Sequence, residues 1–468
     1  MMFNNIHVNP TMATLLESSK ISPRPGGSPE SVPLVFFDML WYGFAANQSV
    51  LFFDFPCSKP HFLDTIVPQL KQSLSLTLTY FLPLAGNIIH PLNPAEKPVL
   101  RYRSADSVDL TVAESDADFR YLTGNQQRNC DEFYALVPLL PRAVASETEV
   151  SCPVLAIQVT LFPGKGLAIG IVTHHAIADA STVVSFIQAW GLVNRIGPDT
   201  ENRVGTDLAE SNLLPSFARE LATDLNGLDS LYWDLIIKEC CPVEPPPPVA
   251  LPTNKVRATF EVRADEIEAL KEFALARGAA AHLSSFTVVC ALFWTCAARA
   301  SGGDVAGDEV EFFGFTVDCR GRLRPPLPAN YFGNCVVLAM AELRHGEVRG
   351  AEGFVAAARA IGAAVKESAG GEKGVLEGAE DWPAEYAGLI GKRQFGVAGS
   401  PRFDFYAVDF GWGKPEKFEP LFIDGGNSIS LCKSRFFEGG VEIGLSKPKD
   451  EMESYANVFS EFLNDLMG

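Results

Sequence analysis

The stretch VLAIQVTLFPGKGLAIGIVTHH, residues 154–175, is apolar at most positions on both sides of a Pro163-Gly164 pair. It reads as a hairpin turning at that pair. STVVSFIQAWGLVNRIG (181–197) follows, apolar at spacings of three and four. That spacing predicts a helix, capped by a serine or an aspartate. Upstream, LVFFDMLWYGFAANQSVLFFDFP (34–56) is aromatic-rich and broken by Gly43 and Asn47. HFLDTIVPQLKQSLSLTLTYFLPLAG (61–86) starts with helical periodicity and ends at Pro83 and Gly86. VLRYRS and VDLTVAES (99–115) look like a strand pair.

Between about 200 and 254 the pattern loosens, and VEPPPPVALP (243–252) carries four consecutive prolines. Such a run is a stiff extended connector, so a domain boundary is expected there. KVRATFEV restarts as a strand, HLSSFTVVCALFWTCAARA (282–300) as a largely buried helix and EVEFFGFTVDCR (309–320) as a strand. An alanine-rich helix over 353–368, a mobile surface loop over 369–380 and a terminal amphipathic helix (EMESYANVFSEFLNDLMG) complete the reading. RFDFYAVDF and ISLCKSRFFEGGVEIGLSKP are expected to close a sheet. Both halves are mixed α/β, and no internal repeat is visible.

With 468 residues the chain exceeds one ordinary core, so two domains of roughly 200 residues each are expected. A formal charge of −19 argues against nucleic acid as a partner, because phosphate binding needs a basic face. The ten cysteines are scattered, with none in a CxxC or metal-knuckle spacing, and Cys240 and Cys241 are adjacent. That pattern suits reduced thiols in a cytoplasmic protein. MMFNNIHVNPTMATLLESSK lacks the basic start and apolar core of a secretory leader. No apolar run of about 18 residues exists, so no membrane span is expected.

Three stretches carry candidate chemistry. In HHAIADAS, residues 174–181, an apolar run ends in His174 and His175, and Asp179 lies four positions after the second. Mid-helix, His175 and Asp179 would share a face and could orient each other or hold a metal. The strand before and the helix cap after place the histidines instead at a strand end, facing a cleft; a core or solvated histidine is the plainer alternative. In DFGWGKP (409–415) two glycines flank a tryptophan in a turn that brings backbone close to something. In VDCRGRLRPPLPANYFGNC (317–335), Arg320, Arg322 and Arg324 cluster after a strand, an anion site or a solvated loop. A GxSxG elbow, a P-loop and a strand-to-helix GxGxxG are all missing.

Taken together, HHAIAD, YFGNC and DFGWGKP resemble the plant BAHD acyl-CoA-dependent acyltransferases, which carry HxxxD and DFGWG in this order and at about this separation. LPLAGNI near the start and GGVEIGL near the end extend the resemblance over nearly the whole chain. YFGNC is similar to the clade that acylates anthocyanin and other flavonoid or phenolic glucosides, commonly from malonyl-CoA. Many relatives have glycine after the HxxxD aspartate, where this chain has Ala180, a small residue that implies only a minor backbone adjustment.

The resemblance implies an α/β fold of two chloramphenicol-acetyltransferase-like domains, residues 1–200 and 255–468. A crossover linker (201–254) joins them, with an interdomain active-site channel. It implies His175 as general base toward a sugar hydroxyl, and Asp179 as a brace paired with an arginine, for which Arg320 is the candidate. Asp409, Gly411, Trp412 and Gly413 would support the site, with the Trp412 indole near the channel, where its N–H could help the oxyanion. Lys255, Arg257, Ser284 and Ser285 would meet the coenzyme phosphates, although as residues they also read as ordinary surface and helix-cap positions. A coenzyme A thioester would be a substrate, with no cofactor and no metal, since the paired histidines lack further ligands at sensible spacing. The partners expected are an acyl-CoA donor and a phenolic glucoside, with no nucleic acid, no membrane and a monomeric chain. The rival readings are a hydroxycinnamoyl or acetyl transferase of the same family, a peptide-synthetase condensation domain, and a catalytically dead member that binds a partner.

Overall fold

The computed structural model of the chain describes residues 13–25, 31–197, 201–222, 227–239, 249, 251–279, 283–303, 305–368 and 374–468. The first twelve residues, the Cys240-Cys241 pair, the proline run at 243–248 expected to mark a boundary, and residues 369–373 of the expected mobile loop lie outside them.

Among the described residues the strands form three sheets. The first runs in spatial order Thr14–Ile21, Val108–Glu114, Leu155–Phe162, Gly166–Thr173, Asn47–Phe53 and Lys417–Pro420. The second runs Val336–Arg344, Val310–Asp318, Arg393–Gly399, Ser428–Lys433, Val441–Lys447, Val256–Val262 and Arg128–Asn129. A smaller sheet joins Ser31–Pro33, Val99–Arg101, Asn87–Pro91, Glu149–Pro153 and Val144–Ala145.

The hairpin read at Pro163-Gly164 forms, with Leu155 opposite Thr173 and Phe162 opposite Gly166. Every residue of both strands is buried, which is why the apolar run hardly alternates. Gly170 is required in the second strand: a Cβ there would lie 2.0 Å from the Leu136 carbonyl oxygen. The helix after the hairpin spans Ala180–Ile196 and packs against the helix Val67–Tyr80. In the second half, Ser285–Ala300 is buried continuously from Thr287 to Ala298, between the helices Gly353–Ser368 and Lys449–Met467.

Two expectations need correction. Val99–Arg101 and Val108–Glu114 are strands but do not pair. The first lies between Ser31–Pro33 and Asn87–Pro91, the second between Thr14–Ile21 and Leu155–Phe162. A tight turn, Asp106 N–H to the Arg103 carbonyl at 2.8 Å, passes the chain from one sheet to the other. RFDFYAVDF is no strand; it contains the short 3₁₀ turn Phe405–Ala407, whose first ring stacks on Phe418 at 3.5 Å. The strand that completes the second sheet is Arg393–Gly399, whose two glycines hid it.

Two short strands cross between the halves. Arg128–Asn129 adds to the second sheet beside Val256–Val262, and Lys417–Pro420 adds to the first beside Asn47–Phe53. Arg128 and Arg257 thereby stand directly opposite each other, an unfavourable pairing by itself. Glu419, arriving from the other sheet, answers both: it accepts from Arg128 Nη1 and from Arg257 Nη1 at 3.1 Å. Arg257 Nη2 also reaches Asp424 Oδ2 at 2.5 Å, and the Phe133 ring lies beneath both guanidinium groups. None of these four charged side chains is more than 3% exposed. Glu419→Ala leaves two buried cations with one anion between them, an expected loss of about 3–5 kcal/mol. A thermal melt indistinguishable from the parent protein would show that the box contributes nothing to holding the halves together.

Candidate active site

The chain leaves the strand Gly166–Thr173 with His174 N–H bonded to the Val154 carbonyl at 2.9 Å. His174 Nδ1 then accepts from Ala176 N–H at 3.2 Å, which closes the single 3₁₀ turn His175–Ile177. Ala176, Ile177 and Ala178 are buried, so only small or apolar residues fit between the histidines and Asp179. Ala180 is the first residue of the next helix.

His174 faces inward, and burial, with a smaller contribution from the neighbouring His175, pushes its imidazole down to about 4. His175 is half-buried, and its buried Nδ1 finds no hydrogen-bond partner. Its ring stacks on the Trp41 indole at 4.3 Å and 5°, with the edge of Phe44 at 6.0 Å. Burial of that inner edge lowers the imidazole to about 4, opposed by the residue's own carbonyl and by Asp179. Both rings are therefore neutral near pH 7.

Asp179 caps the helix, accepting Thr182 N–H on Oδ1 at 3.0 Å. The same oxygen accepts Arg320 Nη2 at 3.1 Å, while Oδ2 takes Cys335 N–H at 3.2 Å and Arg320 Nη1 at 2.8 Å. Four donors and a helix N-terminus occupy the carboxylate, which has no bond to His175. Burial opposes the Arg320 charge, and Asp179, with smaller help from Asp318 and Cys335, more than offsets it. Arg320 spends its other contacts on Asp318 and on the carbonyls of Tyr331 and Gly333.

The YFGNC segment does more than the sequence showed. A second buried pair, Asp38 with Arg219 at 2.6 Å, lies on its other side. Arg219 also donates to the Tyr331 hydroxyl at 2.8 Å. Asn334 gives its backbone N–H and its side-chain amide to Asp38 Oδ1, and the same amide holds the His175 carbonyl at 3.0 Å. Gly333 exchanges two hydrogen bonds with Thr182 and sits at φ +126°, where a Cβ would lie 2.6 Å from the Arg219 guanidinium. Sequence reasoning passed over Asp38, Trp41, Phe44, Arg219 and Asn334. One signal was available: a carboxylate inside the apolar run LVFFDML is rarely buried without a partner.

The DFGWG loop is placed elsewhere. Asp409 Oδ1 accepts from Gly411 N–H at 2.8 Å and Gly413 N–H at 3.3 Å, and both glycines adopt positive φ. The loop leans on the far part of the helix that Asp179 begins. Arg195 bonds Asp409 at 3.2 Å, Asn194 bonds the Phe410 carbonyl at 2.8 Å, and a Cβ on Gly191 would crowd the Asp409 carbonyl. Gly191 is twelve residues beyond Asp179, about 18 Å along the helix axis. Trp412 stacks on Phe55 and Phe410 and meets Phe53 edge-on. The indole is thus an anchor and not an oxyanion donor beside His175.

The coenzyme candidates also divide. Arg257 is corrected: it is fully buried in the Glu419–Asp424 box and has no face for a phosphate. Lys255 is half-buried with Nζ on the Asp424 carbonyl at 2.7 Å. Ser284 is the exposed cap of the helix Ser285–Ala300, accepting Thr287 N–H at 3.1 Å, and Ser285 is that helix's first residue. Of the three arginines read as an anion cluster, Arg320 is committed to Asp179, while Arg322 and Arg324 are exposed. Among the described residues no group of three potential metal ligands is assembled, and no helix is long and apolar enough to cross a membrane.

The profile of the Transferase family matches residues 11–462. The chain belongs to this family, the BAHD transferases. It is 42% identical over 450 residues to a Salvia splendens protein named malonyl-coenzyme:anthocyanin 5-O-glucoside-6'''-O-malonyltransferase, covering 96% of this chain and 95% of that one. It is 40% identical over 425 residues to phenolic glucoside malonyltransferase 1 of Nicotiana tabacum, covering 90% and 92%. The crystal structure of vinorine synthase shares the two-domain, chloramphenicol-acetyltransferase-like fold, with a TM-score of 0.67 at 23% identity over 95% of this chain and 96% of that one.

In this BAHD chain Asp179 and Arg320 are coupled, so Asp179→Ala and Arg320→Ala are each expected to cost roughly 3–5 kcal/mol and to lower activity with stability. The double truncation is expected to cost less than the sum, because the second removal takes away the orphaned charge. Melting curves of the singles and the double decide it; an Asp179→Ala protein as stable as the parent but inactive would make the aspartate part of the proton-transfer machinery.

Proposed function

We propose that the chain is an acyl-CoA-dependent O-acyltransferase that moves malonyl from malonyl-CoA to a sugar hydroxyl of a flavonoid or other phenolic glucoside. The observation that carries this reading is His175: a neutral imidazole, stacked on one face, tied by its carbonyl to Asn334 and carrying no carboxylate of its own. The near-complete alignment with malonyltransferases supplies the substrate class.

The chemistry follows from the residues. A thioester is already activated, so direct attack by the acceptor hydroxyl suffices. Nε2, the nitrogen on the opposite side of the ring from buried Nδ1, takes the hydroxyl proton as the oxygen bonds to the thioester carbonyl carbon. The carbon–sulfur bond then breaks, and the proton passes from Nε2 to the departing thiolate. An imidazole depressed to about 4 gives up intrinsic basicity but is unprotonated, and so able to accept the proton, throughout the neutral range. Phe44, 51% exposed beside His175, offers an aromatic surface for a phenolic acceptor. For the coenzyme phosphates we retain Lys255 and the serine-capped helix start at Ser284 and Ser285. The division into residues 1–200, a crossover at 201–254 and 255–468 belongs to the same reading. So do a monomeric state and a cytoplasmic location, the latter supported by the buried cysteines of the described residues, which form no disulfide among themselves.

His175→Ala is expected to cut turnover at least about a hundred-fold while the fold survives. His174→Ala is expected to lose less activity but to melt earlier, since it removes the cap of the turn. Equal losses with equal stability would remove the assignment of the base.

The pH dependence is signed by the same geometry. The active form is the unprotonated ring and its value lies near 4, so kcat/KM for the acceptor should stay level from about pH 7 down past the ordinary imidazole value near 6.5. An acid limb centred at about 6.5 would mean that His175 is not the depressed base described here.

Donor choice is tested by competition at equal concentrations of malonyl-CoA and acetyl-CoA with a phenolic glucoside, followed by product mass. Malonylated product is expected to predominate; mostly acetylated product would remove malonyl and leave acyl transfer standing.

A further inference from the structure

In hydrolases and transferases that use a histidine base, a carboxylate on the second ring nitrogen commonly fixes the imidazole's orientation. Here that device is missing. Nδ1 of His175 is buried without a hydrogen-bond partner, and Asp179 is consumed by Arg320, Thr182 and Cys335. Two further titratable groups beside the turn are also committed. Asp38 is paired with Arg219, and His174 is kept neutral by burial. Asn334 fixes the His175 backbone through its carbonyl, but among the described residues no other residue holds the ring itself by a hydrogen bond at Nδ1. Ring contacts hold it instead: the Trp41 indole lies parallel to the imidazole within 5° at 4.3 Å, closer than Phe44, which meets it edge-on at 6.0 Å.

We propose that Trp41 is a positioning residue for His175, holding the imidazole by its face in the place where other histidine bases are held by a carboxylate on the edge. The inference rests on the reading of His175 as the base. Trp41 is itself braced: its ring lies 5.1 Å from Phe44, and it follows the short helix Phe36–Met39, whose Asp38 is anchored to Arg219 and Asn334. The indole Nε1 is buried and makes no hydrogen bond, so the contribution of Trp41 is its flat apolar surface. A face contact leaves both ring nitrogens free of a second charge, and it keeps water off the inner edge. Attraction between the indole and a protonated ring acts in the opposite sense on the imidazole. Burial is nonetheless the leading cause of its depression, so exposing the edge should raise its value.

Two substitutions test this. Trp41→Phe keeps an aromatic face, and Trp41→Ala removes it; neither breaks a hydrogen bond of the indole. With malonyl-CoA and a phenolic glucoside, Trp41→Ala is expected to lower kcat by about 10- to 100-fold, the scale of a misplaced reacting group. KM for malonyl-CoA should move little, and Trp41→Phe should recover most of the rate. NMR titration of imidazole-labelled protein reads the base without any turnover. His175 should titrate well below the ordinary value near 6.5 in the parent and in Trp41→Phe, and move up toward it in Trp41→Ala. Unchanged kcat and titration in Trp41→Ala would overturn the proposal. So would a rate loss in both variants that only follows a falling melting temperature. If the parent protein transfers no acyl group, the reading of His175 as base fails, and the titration still decides whether Trp41 governs that ring.

Discussion

Two buried carboxylates govern this architecture. Asp38 and Asp179 are 0% and 5% exposed, and an ionised group in such a place is tolerable only when paired and hydrogen-bonded. Their partners come from distant parts of the chain: Arg219 from the stretch after the first half, Arg320 from the end of a strand in the second. Between them lies YFGNC, whose backbone and Asn334 side chain donate to both carboxylates. The turn that carries His175 is therefore complete only when three separated segments have met. Such pairs add little net stability compared with an apolar core, but they tolerate very few geometries. Position is what the proposed base, which must take the acceptor's hydroxyl proton as that oxygen meets the thioester, needs most.

The remaining motifs divide the labour by distance. The DFGWG loop is fastened to the far part of the helix that Asp179 caps, through Arg195, Asn194 and a glycine contact. It delivers the strand Lys417–Pro420 to the first sheet, and with it Glu419 to the two opposed arginines. A loop that looks chemical in the sequence thus acts at a seam between sheets. Its tryptophan belongs to an aromatic stack with Phe55 and Phe410. Arg257 belongs to the same seam, which explains why a cation in a chain of net charge −19 is not spent on a ligand.

The proposed chemistry depends on what surrounds His175 more than on any partner. Its leading electrostatic influence is loss of solvent, with the neighbouring carboxylate already neutralised by Arg320. In the proposed reading this leaves a base available at neutral pH, and its ring lies stacked on Trp41. The adjacent histidine has a different occupation, since its Nδ1 closes the turn that aims the second.

Much of this was written in the order of the residues. The unbroken apolar hairpin, the capped helix after it and the long helix over 353–368 follow from periodicity, because burial on two faces or one leaves a direct trace in the pattern. The Asp179–Arg320 pairing came from resemblance and not from spacing. No local rule links positions 179 and 320. Tertiary structure alone decided which strands share a sheet. Val99–Arg101 and Val108–Glu114 are neighbours in sequence and strangers in space, while Lys417–Pro420 joins a sheet made otherwise from the first half. It also decided the fate of the cations. Arg257 and Arg320 look alike as isolated letters, and only the packed carboxylates around each show that both are committed inside the protein. Trp41 is the sharpest case: on the sequence it is one aromatic among many in 34–56, and it becomes significant only because folding lays it flat against His175. Periodicity records how deeply a residue is buried, but the identity of its neighbour is set by contacts between segments far apart in the chain.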